Sequence, residues 1–231
     1  MYYGYMTRSL LTWDFKDLPD NDFLAVLMDP PWQPRDTPSP DSSPYITAEE
    51  FSQLAFPHEK MKGGFIFIWV EKEDIPQIFR VMAQWNFVYV ENLVWVKKEA
   101  NNRVSERDSP YFRRSKASLF IFRKETDVHI ELKHQRNPDV IFQFLVPAPL
   151  GVDSTAHPQE SKPPMIYSII ETLLPEAMSR PKCCRFLELW ATPHQLRRGW
   201  IRVVNECSPP PSSHSSSVDE LLNSHKNHTP S

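Results

Sequence analysis

Short apolar runs alternate along the chain with segments whose apolar residues recur at helical spacing. The runs FLAVLM (residues 23–28) and FIFIWV (residues 65–70) have the length and the continuous apolar character of buried strands. Thr47 and Glu50 have the spacing of a capping box, which predicts a helix over residues 47–55. The same patterns predict strands at residues 87–96, 118–122, 141–146, 184–190 and 200–204, and helices at residues 73–85 and 163–174.

This alternation of strands and helices predicts an α/β fold with a mostly parallel sheet and helices on both faces. Ligands of such sheets bind at the carboxyl ends of the strands. We assign residues 1–207 to one domain. Residues 208–231 are rich in Ser, Pro and His and have little to bury, which predicts a disordered tail. The alternative for one part of this tail, VDELL at residues 218–222, is a short binding motif.

Composition excludes several function classes. The 26 basic and 29 acidic residues give a net charge of −3, so any contact with nucleic acid requires a local basic surface. The five glycines form neither a dinucleotide-binding fingerprint nor a P-loop. The cysteines contain no C-x-x-C pair, which argues against a structural zinc site and for a reducing compartment. We find neither a signal peptide nor an apolar run long enough to span a membrane, and we predict no metal.

The candidate chemistry lies directly after the first buried strand, in the sequence Asp29-Pro30-Pro31-Trp32. Proline fixes φ and lacks an N–H, so the Asp29 carboxylate and the Pro30 carbonyl form two acceptors in a rigid relation. An exocyclic amine of a base carries two N–H donors that fit such a pair, and Trp32 offers a ring on which a base stacks. The carboxylate would also stabilise positive charge that develops on the amine. The alternative is that the acid and the prolines only shape a turn.

This motif resembles the catalytic motif of the adenine N6-methyltransferases related to the eukaryotic mRNA N6-adenosine methyltransferase catalytic subunit and to ciliate and fungal DNA adenine methyltransferases. The resemblance spans roughly residues 12–206. Its further matches are Tyr45 after the motif and residues 65–70, 95–97, 162–171 and 188–201. It implies a Rossmann-like S-adenosylmethionine-dependent methyltransferase fold with permuted motif order, in which the catalytic motif precedes the cofactor-binding elements.

The resemblance also implies roles for single residues. Asp14 is expected to bind the adenine of S-adenosylmethionine, and Lys162 to lie near the methionine carboxylate. The expected cofactor set is Asp14, Phe15, Lys162, His194, Gln195, Asn205 and Glu206. Each of three of these residues also has a purely structural alternative. Asp14 could be an exposed acid in a turn, Lys162 a solvated lysine at a helix start and His194 a helix cap or surface histidine.

A local basic segment predicts the contact with nucleic acid. Residues 103–116 contain five basic and two acidic residues, and aromatic and Arg side chains in one loop suit stacked bases and phosphates. The alternative is an ordinary solvated loop. The expected substrate-binding residues are Tyr45, Tyr111, Arg113, Arg114 and Lys116, and Lys97, Lys98, Arg197 and Arg198 could extend the basic rim. An adenine in a duplex would have to be flipped out of the helix to reach Asp29.

Family members work in pairs, so the resemblance implies a second subunit of the same family and nucleic-acid-binding accessory chains, and it implies residence in the nucleus. The predicted function is N6-adenine methylation of DNA or RNA within a heteromeric complex. The main rival is a non-catalytic scaffold subunit. The rival is favoured by Thr192, Gln195 and Glu206, where the catalytic subunits carry Arg, Asn and Gln, and is opposed by the intact motif at residues 29–32. The segment at residues 116–119 also departs from the family's K-E-H-C. A third interpretation is methylation of a protein amide or a small-molecule amine.

Overall fold

The described part of the chain contains one mixed sheet, four α-helices and a short 3₁₀ helix (His58–Lys60). The computed structural model describes residues 4–34, 45–109, 111–134, 136–145, 160–179, 183–192 and 196–206. The strands are β1 (Gly4–Arg8), β2 (Ala25–Met28), β3 (Phe65–Val70), β4 (Phe87–Lys98), β5 (Lys116–Lys124), β6 (Val140–Phe144), β7 (Phe186–Leu189) and β8 (Trp200–Asn205). The helices are α1 (Ala48–Ser52), α2 (Ile75–Gln84), α3 (Met165–Leu173) and α4 (Pro175–Ser179).

The strand order in the sheet is β1-β8-β7-β2-β3-β5-β4-β6. All neighbouring pairs are parallel except those made by β5, which runs antiparallel to both β3 and β4. Seven strands therefore point the same way and one is reversed, which confirms the mostly parallel α/β sheet. From β2 the chain continues to β3, which lies on one side of β2 in the sheet. From β7, which lies on the other side of β2, the chain continues outward to β8, so the order of the strands reverses between β2 and β7. Such a reversal of strand order opens a crevice at the carboxyl ends of the central strands.

Helices cover both faces of the sheet, as the sequence predicts. On one face of the sheet, Phe51 of α1 and Ile78 of α2 pack in one core with Val26 and Met28 of β2. Helices α3 and α4 pack on the opposite face against the residues that alternate with these. Because side chains of a strand alternate between faces, a continuous apolar run such as β2 supplies both cores.

The helix starts follow the predicted local signals. The side chain of Thr47 accepts the backbone N–H of Glu50, and the Glu50 carboxylate accepts the backbone N–H of Thr47, so the capping box is confirmed. Helix α2 has proline in its first turn, where a missing N–H costs nothing. None of the helices in these described ranges is long and apolar enough to cross a membrane.

The sequence patterns missed β1 and α4 and did not foresee the reversal of β5. Strand β1 is an edge strand with two large apolar residues, so it carries little periodic signal. Strands β4 and β5 are joined by residues 99–115, whose described residues (99–109 and 111–115) contain no helix, and a connection without a crossover helix can reverse the chain. The predicted tail at residues 208–231 lies outside the described residues.

Candidate active site

The residue Asp29 lies at the carboxyl edge of the sheet, directly after the central strand β2. Its neighbours in the sheet are β3 and β7, and its backbone N–H donates to the carbonyl of Leu189 at 3.4 Å. Its side chain is 19 % exposed. The structure therefore places the predicted catalytic acid where parallel α/β sheets bind ligands, partly buried and still reached by solvent.

The two prolines form a rigid turn whose carbonyls are already engaged. Pro30 and Pro31 are both buried. The Pro30 carbonyl accepts the N–H of Trp32 at 2.9 Å, and the Pro31 carbonyl accepts the N–H of Ile46 at 2.9 Å. A carbonyl oxygen has two lone pairs, so the Pro30 carbonyl keeps the capacity for one further donor. The turn braces Asp29 as predicted, and the predicted acceptor Pro30 is shared with the backbone.

The ring of Trp32 lies in the core and not on an open stacking face. It is 8 % exposed, its Nε1 donates to the Trp69 carbonyl at 2.7 Å, and it packs against Phe51 at 5.3 Å between ring centroids. This position differs from the predicted stacking role. The described contacts make Trp32 a brace that joins the turn after β2 to the end of β3.

A lysine occupies the acceptor side of Asp29. The Nζ of Lys162 lies 2.8 Å from Oδ1 and 3.2 Å from Oδ2 of Asp29. The same Nζ donates to the Glu160 carbonyl at 3.3 Å and lies 5.7 Å from the centre of the Trp69 ring. Burial raises the pKa of Asp29 above its usual value, the charge and hydrogen bond of Lys162 oppose this rise, and Glu188 and Glu160 add to it.

Three further charged residues surround this pair, and the sequence analysis had not placed them in the site. The Glu160 carboxylate pairs with Lys97 on β4, and Arg107 lies 3.4 Å from its Oε1. That Oε1 is buried and has no hydrogen bond to the described residues. The sequence analysis placed Lys97 on the basic rim, but this residue is only 8 % exposed and therefore does not belong to that surface. The sequence signal for Lys97 was its place at the end of an apolar strand.

A second buried ion pair lies on the α3 face of the sheet, away from the edge. Arg202 on β8 and Glu188 on β7 are in register and pair through both carboxylate oxygens. The hydroxyl of Tyr167 donates to Glu188 at 2.7 Å and accepts from Arg202 at 2.9 Å. The side chains of Arg202 and Glu188 are 2 % and 6 % exposed, so this cluster is closed to solvent.

The residues expected to bind the cofactor come from three places in the fold. Asp14 is exposed and pairs with Lys16 at 2.7 Å, which holds the pKa of its carboxyl below the usual value. Phe15 is fully buried, with a positive φ of 55°. Asn205 ends β8, and its Oδ1 accepts the backbone N–H of Leu10 at 3.0 Å. This bond brings the segment before Asp14 to the carboxyl end of β8.

Three other members of the cofactor set are Glu206, His194 and Gln195. Glu206 is exposed, and its backbone N–H donates to the Arg8 carbonyl at 2.9 Å. His194 and Gln195 lie outside the described residues. Lys162 contacts Asp29 and is thus separate from the Asp14 and Asn205 region in the contacts that the structure gives.

An unpartnered donor lies at the same edge, in a residue that the sequence analysis had not singled out. Trp190 follows β7, is 3 % exposed and has a φ of 59°, a left-handed conformation that large side chains rarely adopt. Its Nε1 is buried and has no hydrogen-bond partner among the described residues. A buried donor without a partner is costly unless a ligand or water satisfies it. The Trp190 ring packs against Phe51 at 5.9 Å between ring centroids, so its Nε1 is a donor at the margin of the core.

The loop after β4 presents an exposed aromatic tip. Tyr111 and Phe112 are 93 % and 80 % exposed, and Arg113 next to them is exposed and pairs with Glu106. Arg114, which was expected to bind substrate, pairs with Glu71 at 3.0 Å and Glu73 at 2.9 Å, beyond the end of β3. The loop is thus attached to the carboxyl edge by Arg114, which leaves the aromatic tip free of the core.

The remaining predicted contacts lie around this edge. Lys116 is exposed at the start of β5, and Tyr45 is half-buried beside Ile46, which pairs with the turn after β2. Of the residues expected to extend the basic rim, Lys98 lies 5.2 Å from the Phe144 ring, and Arg197 pairs with Glu171 at 2.6 Å.

A mostly parallel sheet with one reversed strand and an acid-Pro-Pro-aromatic turn at its central strand is consistent with an α/β Rossmann-like methyltransferase fold. The sequence model of the MT-A70 family matches residues 23–206, and the chain belongs to that family. This finding confirms the predicted fold class and the resemblance. The family supports methyltransferase activity and the use of S-adenosylmethionine in general.

Curated relatives align over most of the chain. It is 27% identical over 188 residues to "N(6)-adenosine-methyltransferase MT-A70-like protein" of Drosophila melanogaster, a match that covers 80% of this chain and 27% of that protein. It is 26% identical to "N(6)-adenosine-methyltransferase catalytic subunit METTL3" of Homo sapiens, with 80% and 28% covered. It is 25% identical to "N(6)-adenosine-methyltransferase MT-A70-like" of Arabidopsis thaliana, with 80% and 24% covered. The chain spans about a quarter of the length of these relatives.

Proposed function

We propose that this chain is an S-adenosylmethionine-dependent N6-adenine methyltransferase that acts on DNA or RNA as one subunit of a heteromeric complex. The observation that carries the proposal is the position of Asp29, partly buried in a proline-braced turn at the carboxyl end of the central strand. A family match alone would support a fold. An acid held at this edge supports chemistry on an amine.

In this proposal Asp29 is the catalytic residue that holds the target amine. Its carboxylate accepts one N–H of the adenine amine, and the second lone pair of the Pro30 carbonyl accepts the other. Each carboxylate oxygen has more than one lone pair, so Asp29 can accept this bond while Lys162 stays within 3.2 Å. The bound amine then has its nitrogen lone pair fixed in direction, which removes orientational freedom before the reaction.

Asp29 also stabilises the positive charge that develops on the amine during the reaction. When bound, S-adenosylmethionine supplies a methyl group that is susceptible to attack by an amine. The amine nitrogen gains positive charge as it is alkylated, and the Asp29 carboxylate stabilises that charge at close range. The surplus proton of the product can pass to an Asp29 oxygen, whose pKa is raised by burial.

The proposed cofactor contacts are Asp14, Phe15, Lys162, Asn205 and Glu206, together with His194 and Gln195 outside the described residues. Trp190 joins this set, since its Nε1 is a buried donor without a described partner. The fully buried Phe15 can take part only through its backbone or through the shape of the core beneath the ligand.

The exposed aromatic tip and the basic residues near it are the proposed contact with nucleic acid. Aromatic side chains stack on unpaired bases, and each such contact contributes about 1–3 kcal/mol. Tyr111, Phe112 and Arg113 project from a loop that Arg114 attaches beside β3. An adenine that leaves its helix could then be held between this tip and Asp29. We also propose nuclear residence, because the substrate class is found there.

The human relative is named a catalytic subunit, and this name supports a partner chain. We propose a second member of the same family as that partner. A non-catalytic scaffold role is the second candidate, and one observation favours it: the described contacts of Asp29 include a cation that already occupies both carboxylate oxygens.

The test is transfer of a tritiated methyl group from S-adenosylmethionine to single-stranded and duplex DNA and RNA. The chain is assayed alone and co-expressed with a family member from the same organism, with Asp29→Asn as the matched inactive control. Mass spectrometry of the digested nucleosides should show N6-methyladenine in the wild type only. Calorimetric titration with S-adenosylmethionine accompanies the assay. Cofactor binding without methylated nucleoside under any condition would overturn the proposal, and absence of both would favour the scaffold role.

A further inference from the structure

Four side chains of alternating charge run inward from the candidate catalytic acid, and we call Asp29, Lys162, Glu160 and Lys97 the charge chain. Lys162 pairs with Asp29 at 2.8 Å, and its Nζ donates to the Glu160 backbone carbonyl at 3.3 Å. The Glu160 carboxylate pairs in turn with Lys97. The members come from the end of β2, the end of β4 and the segment before α3. These contacts thus connect three separate elements in series, from Asp29 to Lys97.

We propose that Lys97 and Glu160 are positioning residues with opposite effects on the catalytic carboxylate: the negative charge of Glu160 disfavours the ionised form of Asp29, and Lys97 offsets that charge. The backbone carbonyl of Glu160 also holds Lys162 beside Asp29. This inference rests on the proposed role of Asp29. It assigns a function to two residues for which neither the methyltransferase motif nor the exposed loop accounts.

Burial makes these charges consequential. The side chains of Lys97 and Glu160 are 10 % and 21 % exposed, so water screens them weakly. Removing one partner of a buried pair leaves the other charge uncompensated. Without Lys97, the Glu160 carboxylate would keep Arg107 at 3.4 Å but lose its closer cation, so its negative charge would act more strongly on Asp29. Without Glu160, Lys97 would be an unpaired cation behind Lys162.

The surroundings of the two lysines suit cations. Lys162 Nζ lies 5.7 Å from the centre of the Trp69 ring, and Lys97 Nζ lies 5.4 Å from that of Trp95. The two indoles contact each other edge to face at 6.5 Å. Aromatic faces attract cations and fill space around them, so this floor fixes both ammonium groups in place. The arrangement is thus more rigid than two surface lysines would be.

Other charges near Asp29 are already paired with one another. Glu188 on β7 pairs with Arg202 on β8 and receives the hydroxyl of Tyr167 from α3. Arg107 in the loop after β4 lies 3.4 Å from Glu160. Beyond the end of β3, Glu71 pairs with Arg114 at 3.0 Å. Glu188 has its own buried partners, whereas Glu160 is joined to Lys162 by its backbone carbonyl and to Lys97 by its carboxylate.

The test measures the ionisation of Asp29 in the ligand-free full chain, by NMR titration of aspartate labelled at the side-chain carboxyl carbon. Asp29→Asn assigns the signal. Lys97→Met should raise the pKa of Asp29, because the negatively charged Glu160 loses one of the two cations that pair with it. Glu160→Gln should lower it, because a negative neighbour is lost. The double variant should return it towards the wild-type value. Lys98→Met is the matched control: Lys98 lies next in sequence but contacts Phe144 on the opposite face, and its replacement should leave the titration unchanged.

In an active preparation the same variants should shift the acid limb of the pH profile of kcat/KM in the same opposite directions. Below the midpoint of that limb, Lys97→Met should lose activity about threefold, the expected effect of one buried charge at this range. Lys97→Arg should restore most of it. A purely structural role would lower activity equally at every pH.

Shifts in the same direction for Lys97→Met and Glu160→Gln, no shift in either, or an equal shift in Lys98→Met would overturn the inference. If Lys97→Met fails to fold, Lys97→Arg and Glu160→Gln decide: the inference requires a near wild-type titration in the first and a downward shift in the second. The titration needs no activity, so opposite shifts in a chain without methyl transfer would refute the proposed function and leave the inference standing. Methyl transfer without any change in the titration of Asp29 would overturn the inference and leave the proposed function standing.

Discussion

Two buried ion pairs in this protein each join a carboxylate to a cation, but burial and partner charges have opposite net effects in the two pairs. In the pair of Glu188 and Arg202, burial disfavours the charge of Arg202, but the hydrogen bonds and charges of Glu188 and Tyr167 outweigh burial and raise the pKa of the guanidinium. In the pair of Asp29 and Lys162, burial outweighs the lysine and raises the pKa of the carboxyl. The environment thus favours the ionised form of Arg202 and disfavours the ionised form of Asp29.

Geometry explains the difference. Arg202 and Glu188 pair through two parallel hydrogen bonds in the sheet, and Tyr167 satisfies the remaining sites. Asp29 is at the end of a strand, where it pairs with the ammonium group of Lys162, and two further carboxylates nearby disfavour its charge. The first pair is arranged for stability. The second leaves a poorly compensated acid at a ligand-binding edge, which is typical of a functional site.

The largest expected effect is on stability, from breaking the closed pair. Arg202→Met should lower the free energy of unfolding by about 3–5 kcal/mol, because Glu188 would remain buried without its cation. Urea denaturation checks this, with the exposed Arg198→Met as control. A loss below about 1 kcal/mol would show that the two pairs are not energetically different in kind.

The next effect is on activity, from neutralising the edge acid. Asp29→Asn should lower kcat by about 10²–10³-fold, the usual consequence of removing one group that stabilises charge in a transition state. The melting temperature should not fall, because the fold disfavours the charge that this change removes. Radiometric methyl transfer and thermal unfolding measure the two quantities. A variant that unfolds as readily as Arg202→Met would make the edge pair structural.

A smaller effect concerns the brace beneath Asp29. Trp32→Phe removes the bond from Nε1 to the Trp69 carbonyl and leaves that buried acceptor unsatisfied, at a cost of about 1–3 kcal/mol. Chemical denaturation gives the cost, and the KM for nucleic acid gives the control. If Trp32 instead stacks on the target base, KM would rise while stability stayed the same.

The smallest effect is a dependence of stability on pH. A carboxyl whose pKa is raised in the folded state binds its proton more tightly when folded, so its contribution to stability is present below the unfolded pKa of about 3.8–3.9 and is lost as pH rises through the folded pKa. The melting temperature of Asp29→Asn relative to the wild type should therefore increase as pH rises from 4 to 8. A constant difference over this range would contradict the assigned burial of Asp29.

Most of the fold was predictable from the sequence. The strand at residues 65–70 and the capping box at Thr47 were confirmed, because both depend on local patterns that tertiary contacts reinforce. Strand β1 was not predictable, since its pairing with β8 joins opposite ends of the chain. In the candidate site the position of Asp29 was predictable from the strand before it. Trp32 was not, because a ring at the end of a strand can face either the core or the solvent.

The sequence by itself determined the family, the α/β layering and the acid at the end of the central strand, because periodicity and motif spacing are local properties. The tertiary structure alone decided which charges meet. Lys162 lies 133 residues from Asp29 in the chain, and Lys97 turns inward to Glu160 while Lys98 turns away. Side chains of a strand alternate between faces, and ion pairs form only between faces that folding brings together, so no linear pattern contains that information.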